Sequence, residues 1–156
     1  MPRKGPAPKR ILPPDAVFKS RLVQRFINCL TKGGKKSTAE RIFYGAMQDI
    51  GETTGRNPVD VFQQAVRNTM PQVEVRGRRV GGATYQVPVE VRADRQVALS
   101  IRWLIENAQK RPERTMREQL ANEVSEASQG QGGTIRRREE MHRMAEANKA
   151  FAHYRW

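Results

Sequence analysis

The sequence predicts a mainly α-helical fold, a bundle of about six helices with a protruding two-stranded β-hairpin and a flexible basic arm at the N-terminus. Three observations predict it. Apolar residues recur at helical spacing through most of the chain. The spacing changes to strict alternation in one stretch only, at about residues 72–91. The first fourteen residues show no periodicity at all.

Residues 1–14 read as an arm. Pro2, Pro6, Pro8, Pro13 and Pro14 alternate with Gly5 and cations; proline removes both helix and ladder donors, so this segment is expected to order only against a partner. Residues 15–156 then read as a single helical domain. A first helix is expected from about Asp15, with Phe18, Leu22, Val23, Phe26, Ile27 and Leu30 on one stripe. The single cysteine, Cys29, falls within this pattern and is expected in the core. Gly33-Gly34 stops the helix, and Ser37-Thr38-Ala39-Glu40 reads as a capping box for the second. Its stripe is Ile42, Phe43, Ala46, Met47 and Ile50, with Gly51 or Gly55 at its end. Asn57-Pro58-Val59-Asp60 opens a third with an N-cap asparagine, proline at the first helical position and acid in the first turn. Pro71 closes it.

The alternation then begins. Val73 and Val75 are interleaved with Glu74 and Arg76, and Tyr85, Val87, Val89 and Val91 with Gln86, Pro88 and Glu90. Gly81-Gly82 between them marks a hairpin turn. Pro88 requires an edge strand, which a lone ribbon supplies. Such a ribbon suits a probe better than a core element. Helical spacing resumes at Asp94. Val97, Ile101, Leu104, Ile105 and Ala108 form one stripe, with Leu99 and Trp103 to its side, so this helix is expected to be central. Thr115-Met116-Arg117-Glu118 is a second capping box, leading into Leu120, Val124 and Ala127. Residues 130–133 read as a glycine-rich hinge, with Thr134 capping a last helix of weak apolar character, Met141, Met144, Ala145 and Ala147. The pattern leaves open whether that helix packs on the body or docks on a partner.

Charge narrows the function. The 29 Lys and Arg against 16 Asp and Glu leave a net charge of +13. Of this, +9 lies in residues 1–36, so the charge is concentrated at one end of the chain. Arginine outnumbers lysine by 21 to 8, and the guanidinium fork grips phosphate in two places and stacks on bases. A polyanionic partner follows. No apolar run approaches the ~20 residues of a membrane helix, and no hydrophobic stretch follows the basic start, so neither a membrane nor a secretory signal is expected. The lone thiol can make neither an internal disulfide nor a multi-cysteine metal site, which fits a cytoplasmic location.

Four basic sites stand out: the arm cations Arg3, Lys4, Lys9 and Arg10; the inter-helix turn Lys32-Gly33-Gly34-Lys35-Lys36; the hairpin arginines Arg76, Arg78 and Arg79, with Tyr85 opposite; and Lys110, Arg111 and Arg114 with the later Arg136-Arg137-Arg138. Each has a bland reading as a basic turn, a charged strand edge or a solvated helix face. Catalytic signals are weak. His142 and His153 have no partner at ligand spacing, and no Walker loop, nucleophile elbow or dinucleotide fingerprint is present. No enzyme activity, cofactor, metal or small-molecule substrate is expected. Rival readings are a helix-turn-helix DNA regulator, an RNA-modifying enzyme and a scaffold with basic tails.

Gly34-Lys35-Lys36, then Ile42-Phe43 and Ala46, resembles the signature of the small-subunit ribosomal protein seven family, in its bacterial form. The resemblance continues through Asn57-Pro58-Val59-Asp60, Val73-Glu74-Val75-Arg76, Arg78-Arg79-Val80-Gly81-Gly82, Tyr85-Gln86-Val87-Pro88 and Arg95-Gln96-Val97-Ala98. It implies direct binding to the 3′ major domain of 16S rRNA, nucleation of assembly of the 30S head, and a hairpin at the subunit interface near the exit-site tRNA, the mRNA path and the decoding centre. It also implies neighbouring small-subunit proteins nine, eleven, thirteen and nineteen. The RNA-binding positions it implies are Arg3, Lys4, Lys9, Arg10, Lys35, Lys36, Arg76, Arg78, Arg79, Arg95, Lys110, Arg111 and Arg114. No role is carried onto residues 151–156.

Overall fold

The computed structural model describes residues 3, 5 and 10–154 and divides into two units, residues 1–40 and 41–156. In the first unit, helix formation starts later than the apolar stripe suggests. The Asp15 carboxylate accepts the N–H groups of Val17 (3.1 Å) and Phe18 (2.9 Å), the bonds an N-cap makes. Lys19, however, has a φ of 49°, and a left-handed residue cannot continue a right-handed helix. The segment closes instead into a turn, with the Asp15 N–H donating to the Ser20 carbonyl at 3.2 Å. Helix α1, Arg21–Leu30, follows it and buries Val23, Phe26, Ile27 and Leu30. Cys29 is exposed rather than in the core. It is one position from Leu30, hence about 100° round the helix and off the stripe.

Helix α2, Lys36–Thr54, straddles the boundary. It starts one residue before Ser37, so the expected capping serine lies inside the first turn, and the Lys35 carbonyl receives the Ala39 N–H at 3.3 Å. The helix passes through Gly51 and stops ahead of Gly55.

The second unit continues with α3, Pro58–Thr69, opened by the Asn57 side chain accepting from the Val59 N–H at 3.1 Å. Strands β1, Val73–Val80, and β2, Ala83–Glu90, form an antiparallel pair. Helices α4, Ala93–Ala108, α5, Met116–Ser128, and α6, Gly133–Ala147, precede a short 3-10 helix, Lys149–Tyr154. The fold is mainly helical with one hairpin, as the periodicity predicts.

The core of this unit is aliphatic with an aromatic centre. Phe43 and Phe62 meet edge to face, centroids 5.4 Å apart. Ile101 and Leu104 of α4 and Leu120 and Val124 of α5 are fully buried. Leu99 and Trp103, placed to the side of the main stripe, form a separate cluster with Val91, against which Met141 of α6 packs. That cluster holds the last helix to the body despite its weak apolar face. The buried Ser100 hydroxyl lies 2.5 Å from that of Thr69 and donates to the Val66 carbonyl at 3.1 Å. Asn68 donates to the carbonyls of Ala127 (3.0 Å) and Ser128 (2.9 Å), tying the end of α3 to the end of α5. Both bonds of the Thr115–Glu118 capping box are formed.

The α5–α6 connection departs from expectation. Thr134 does not cap α6; the N-cap is Gly132, at a φ of 94°. Thr134 is the second residue of the helix and is buried, with its N–H (2.9 Å) and hydroxyl (2.6 Å) both donating to Glu123 Oε1. Glu123, 1% exposed, thus supplies the carboxylate that the start of a helix favours. A side chain at Gly132 would meet Glu126 Oε2 at 3.1 Å and Glu123 Oε1 at 3.4 Å, so the glycine-rich stretch is a fitted corner. The other Glu123 oxygen receives Arg111 Nη1 at 3.0 Å.

Replacing Glu123→Ala orphans the Thr134 N–H and removes one partner of a shielded arginine. Its expected cost is about 3 kcal/mol, read as the loss in unfolding free energy by urea titration. Loss of the half-exposed Arg117–Asp49 pair, in Arg117→Ala, is expected to leave the urea midpoint close to that of the parent, because water screens an exposed pair.

Candidate nucleic-acid interface

The hairpin turn is two residues long, with Gly81 and Gly82 at φ of 56° and 90°. Both conformations are strained for any side chain, and this paired left-handed turn matches the twist of the strands. The turn sets the register, Val80 opposite Ala83, Arg78 opposite Tyr85 and Arg76 opposite Val87. Residues directly opposite share a face, so the even positions of β1 share a face with the odd positions of β2. Glu74 and Val87 are buried on that face, and Val73 and Val75 lie on the other. The base of the hairpin therefore belongs to the body, while residues 81–84 are exposed at its tip. Arg79 is exposed on the outer face, opposite Thr84. Arg78 is half-buried beside Tyr85, and the Tyr85 ring is already engaged, 5.2 Å from both Phe151 and Tyr154.

Two predicted site arginines converge on Glu74. Arg76 Nη2 lies 2.5 Å from its Oε1 and Arg95 Nε 2.7 Å from its Oε2. Burial pushes the Glu74 carboxyl up, but hydrogen bonds from Arg95 and Arg76 outweigh this and hold it below the ordinary carboxylate range. Both arginines remain about half exposed. One edge of each guanidinium braces the hairpin, and the rest faces water.

Arg111 is used inwardly. Its side chain is 18% exposed and meets Glu113 (3.0 Å), Glu123 (3.0 Å) and Glu126 (2.8 Å). The bond to Glu126 raises its pKa most, burial opposes it, and Glu123 and Glu113 add to the rise. Its neighbours Lys110 and Arg114 are exposed and have no ion pair among the described residues. The arginine triplet of α6 is divided: Arg138 donates to the Asn68 carbonyl, Arg137 pairs with Glu140 at 3.4 Å, and Arg136 is exposed. Lys110, Arg136 and Arg137 line one polar cleft of about 380 Å³ with Glu106, Asn107 and Glu140.

In the first unit Arg3 and Arg10 are exposed, and Lys4 and Lys9 lie outside the described residues. Lys35 and Lys36 are exposed at the start of α2. Their N–H groups are taken by the Lys32 and Gly34 carbonyls, at 3.2 and 2.9 Å. Those two N–H groups are thus not offered to an anion, and Lys36 also lies 3.6 Å from Glu40.

The sequence reading missed the carboxylates that absorb these arginines, Glu74, Glu123 and Glu126. Glu74 was discoverable in principle, because a two-residue turn fixes the strand register. It also missed His142, which lies in α6 and whose Nε2 accepts the Gln72 N–H at 3.0 Å, pinning the hairpin base.

Among the described residues no cluster of ligating side chains could hold a metal, and no helix is long and apolar enough to cross a membrane. The candidate surface thus consists of exposed cations, while Arg76, Arg95 and Arg111 are drawn onto carboxylates. The profile of the family described as Ribosomal protein S7p/S5e matches residues 2–149. The chain belongs to that family. It is 56% identical to the small ribosomal subunit protein uS7 of Lawsonia intracellularis, 58% to that of Mycolicibacterium vanbaalenii and 54% to that of Acholeplasma laidlawii, in each case over 156 residues and the whole of both chains. Members of the S7 family are structural constituents of the ribosome and not enzymes.

Burial, and then the charge of Arg138, lowers the His142 pKa below its ordinary 6.5. A histidine whose folded value is depressed contributes stability that is complete above its unfolded value and is lost as pH falls through the folded one. Protonation also removes the acceptor for Gln72. Protection of the Gln72 amide against hydrogen exchange, corrected for intrinsic rate, is expected to be full well above pH 6.5 and to be lost as pH falls through the depressed value. In His142→Ala it should be low throughout.

Proposed function

We propose that this chain binds the 3′ major domain of 16S rRNA directly and nucleates assembly of the small-subunit head. In this reading its hairpin lies at the subunit interface near the exit-site tRNA, the mRNA path and the decoding centre, and small-subunit proteins nine, eleven, thirteen and nineteen are its neighbours. The observation that carries the reading is where the charge sits. In a chain of a ribosomal family, +9 of the +13 lies in the first 36 residues, ahead of the segment in which Arg76, Arg95 and Arg111 meet carboxylates.

The proposed contacts are sorted by geometry. Arg3, Arg10, Lys35, Arg79, Lys110 and Arg114 are exposed and face RNA with whole side chains, as do Lys36 and the half-buried Arg78 in part. Lys4 and Lys9 extend the arm. Arg76 and Arg95 offer the guanidinium edges that Glu74 leaves. Arg111 supports its neighbours Lys110 and Arg114 rather than touching phosphate. Phosphate contacts supply affinity, and RNA shape, presented at a multi-helix junction, supplies selectivity.

The test is binding titrated against salt, with the 3′ major domain, an unrelated folded RNA of equal length and duplex DNA. The expected result is a preference for the first by orders of magnitude with a steep salt slope. Lys35→Gln and Lys36→Gln should each weaken binding and flatten the slope by roughly one unit per lost contact. Arg111→Met should lower stability and leave the slope of the folded protein unchanged. Equal binding to all three ligands would overturn the reading.

A further inference from the structure

The last described residues pack on the hairpin. The 3-10 helix carries Phe151 and Tyr154, whose rings meet Tyr85 of β2 at 5.2 Å with interplanar angles of 48° and 32°, within the range of favourable aromatic pairs. The His153 ring lies tilted against Tyr154, centroids 4.0 Å apart. The segment's direction is set at its start. The Met144 carbonyl, in the last turn of α6, accepts both the N–H (3.2 Å) and the side-chain amide (2.8 Å) of Asn148. The Phe151 N–H then donates to the Asn148 carbonyl at 3.0 Å.

Helix α6 is itself fastened to the other end of the hairpin, through His142 to Gln72. The hairpin is therefore held at its base by α6 and, two pairs below the turn, by the segment that α6 leads into. Among the described residues the hairpin packs chiefly on α6 and the 3-10 helix, with α4 reaching its base through Arg95 on Glu74. A two-stranded ribbon has little stability of its own, so the outer half of this one depends on the aromatic contact. The family profile stops at residue 149, before Phe151 and Tyr154.

We propose that the C-terminal 3-10 helix is a strap that holds the hairpin in its RNA-binding orientation while making no RNA contact of its own. The strap rests on the proposed reading that the hairpin meets RNA. It acts by preorganisation: a held hairpin gives up less conformational freedom on binding. Tyr85 becomes a positioning residue, whose ring anchors the strap and is not available to stack on a base.

The experiment compares the full chain with Phe151→Ala/Tyr154→Ala and with Tyr154→Phe, using amide hydrogen exchange and salt-titrated binding to the 3′ major domain. In the double variant, amides of residues 76–86 are expected to exchange roughly three- to tenfold faster, the effect of losing an aromatic contact, while those of α3, α4 and α5 keep their rates. RNA affinity should fall by a similar factor with an unchanged salt slope. Tyr154→Phe, which keeps the ring, should behave as the parent. If the double variant perturbs the helices, Tyr154→Ala alone replaces it. Unchanged hairpin exchange would overturn the strap. A flattened salt slope would overturn it too, because the segment would then be touching phosphate. Arg79→Ala separates this failure from that of the underlying reading. Full affinity and slope in that variant would remove the hairpin from the RNA interface, whatever the exchange data show for the strap.

Discussion

A carboxylate taken out of water must be met by donors, and Glu123 is met by three: Arg111 on one oxygen, and the N–H and hydroxyl of Thr134 on the other. Much of the second unit is arranged around this one group. It joins α5, which carries it, to the start of α6 and to the segment after α4. Thr134 passes the connection on, since its hydroxyl lies 3.4 Å from the Trp103 carbonyl and from the Asn107 amide. Glu126 closes the same corner from one turn later, bidentate on Arg111. Ion pairs this shielded give modest net stability, yet losing one partner is costly. The corner therefore fixes where α6 begins, and with it the position of every residue that α6 brings to the hairpin.

A chain with a net charge of +13 has to keep its cations from repelling one another within the fold. It does so by dividing them. Arg111, Arg138 and parts of Arg76 and Arg95 are turned onto carboxylates or a carbonyl of the body. Lys35, Arg79, Lys110 and Arg114 remain in water. The inward set holds the outward set in place. Arg111 lies between Lys110 and Arg114 in sequence, and the Glu74 cluster lies at the base of the hairpin that carries Arg79. Under the proposed reading both uses serve assembly, because phosphate would neutralise the outward charges while nearby acids hold Arg76, Arg95 and Arg111.

Helix periodicity and end signals were legible. The Asn57 cap, the Thr115–Glu118 box and the hairpin turn at Gly81-Gly82 are local chemistry, formed as the residues demand. The errors share one cause. Asp15 makes its cap bonds but heads a closed turn, Ser37 and Thr134 lie inside helices that they seemed to cap, and Cys29 sits just off a stripe. In each case a local signal was sound while a neighbouring residue, or a partner from elsewhere in the chain, decided its use. The candidate site divided likewise. Basic residues could be found in the sequence, but which of them face water depends on acids up to 21 positions away, as with Arg95 and Glu74.

The sequence by itself determined the class of fold and the family, because these follow from periodicity and motif, which are properties of the linear chain. Tertiary structure alone decided which arginines remain in water, that His142 pins the hairpin base and that Phe151 and Tyr154 cover Tyr85. The physical reason is that hydrogen bonds, ion pairs and ring contacts act over a few ångströms in space. Separations of 66 and 69 residues between Tyr85 and its two aromatic partners carry no trace in the sequence until folding closes them.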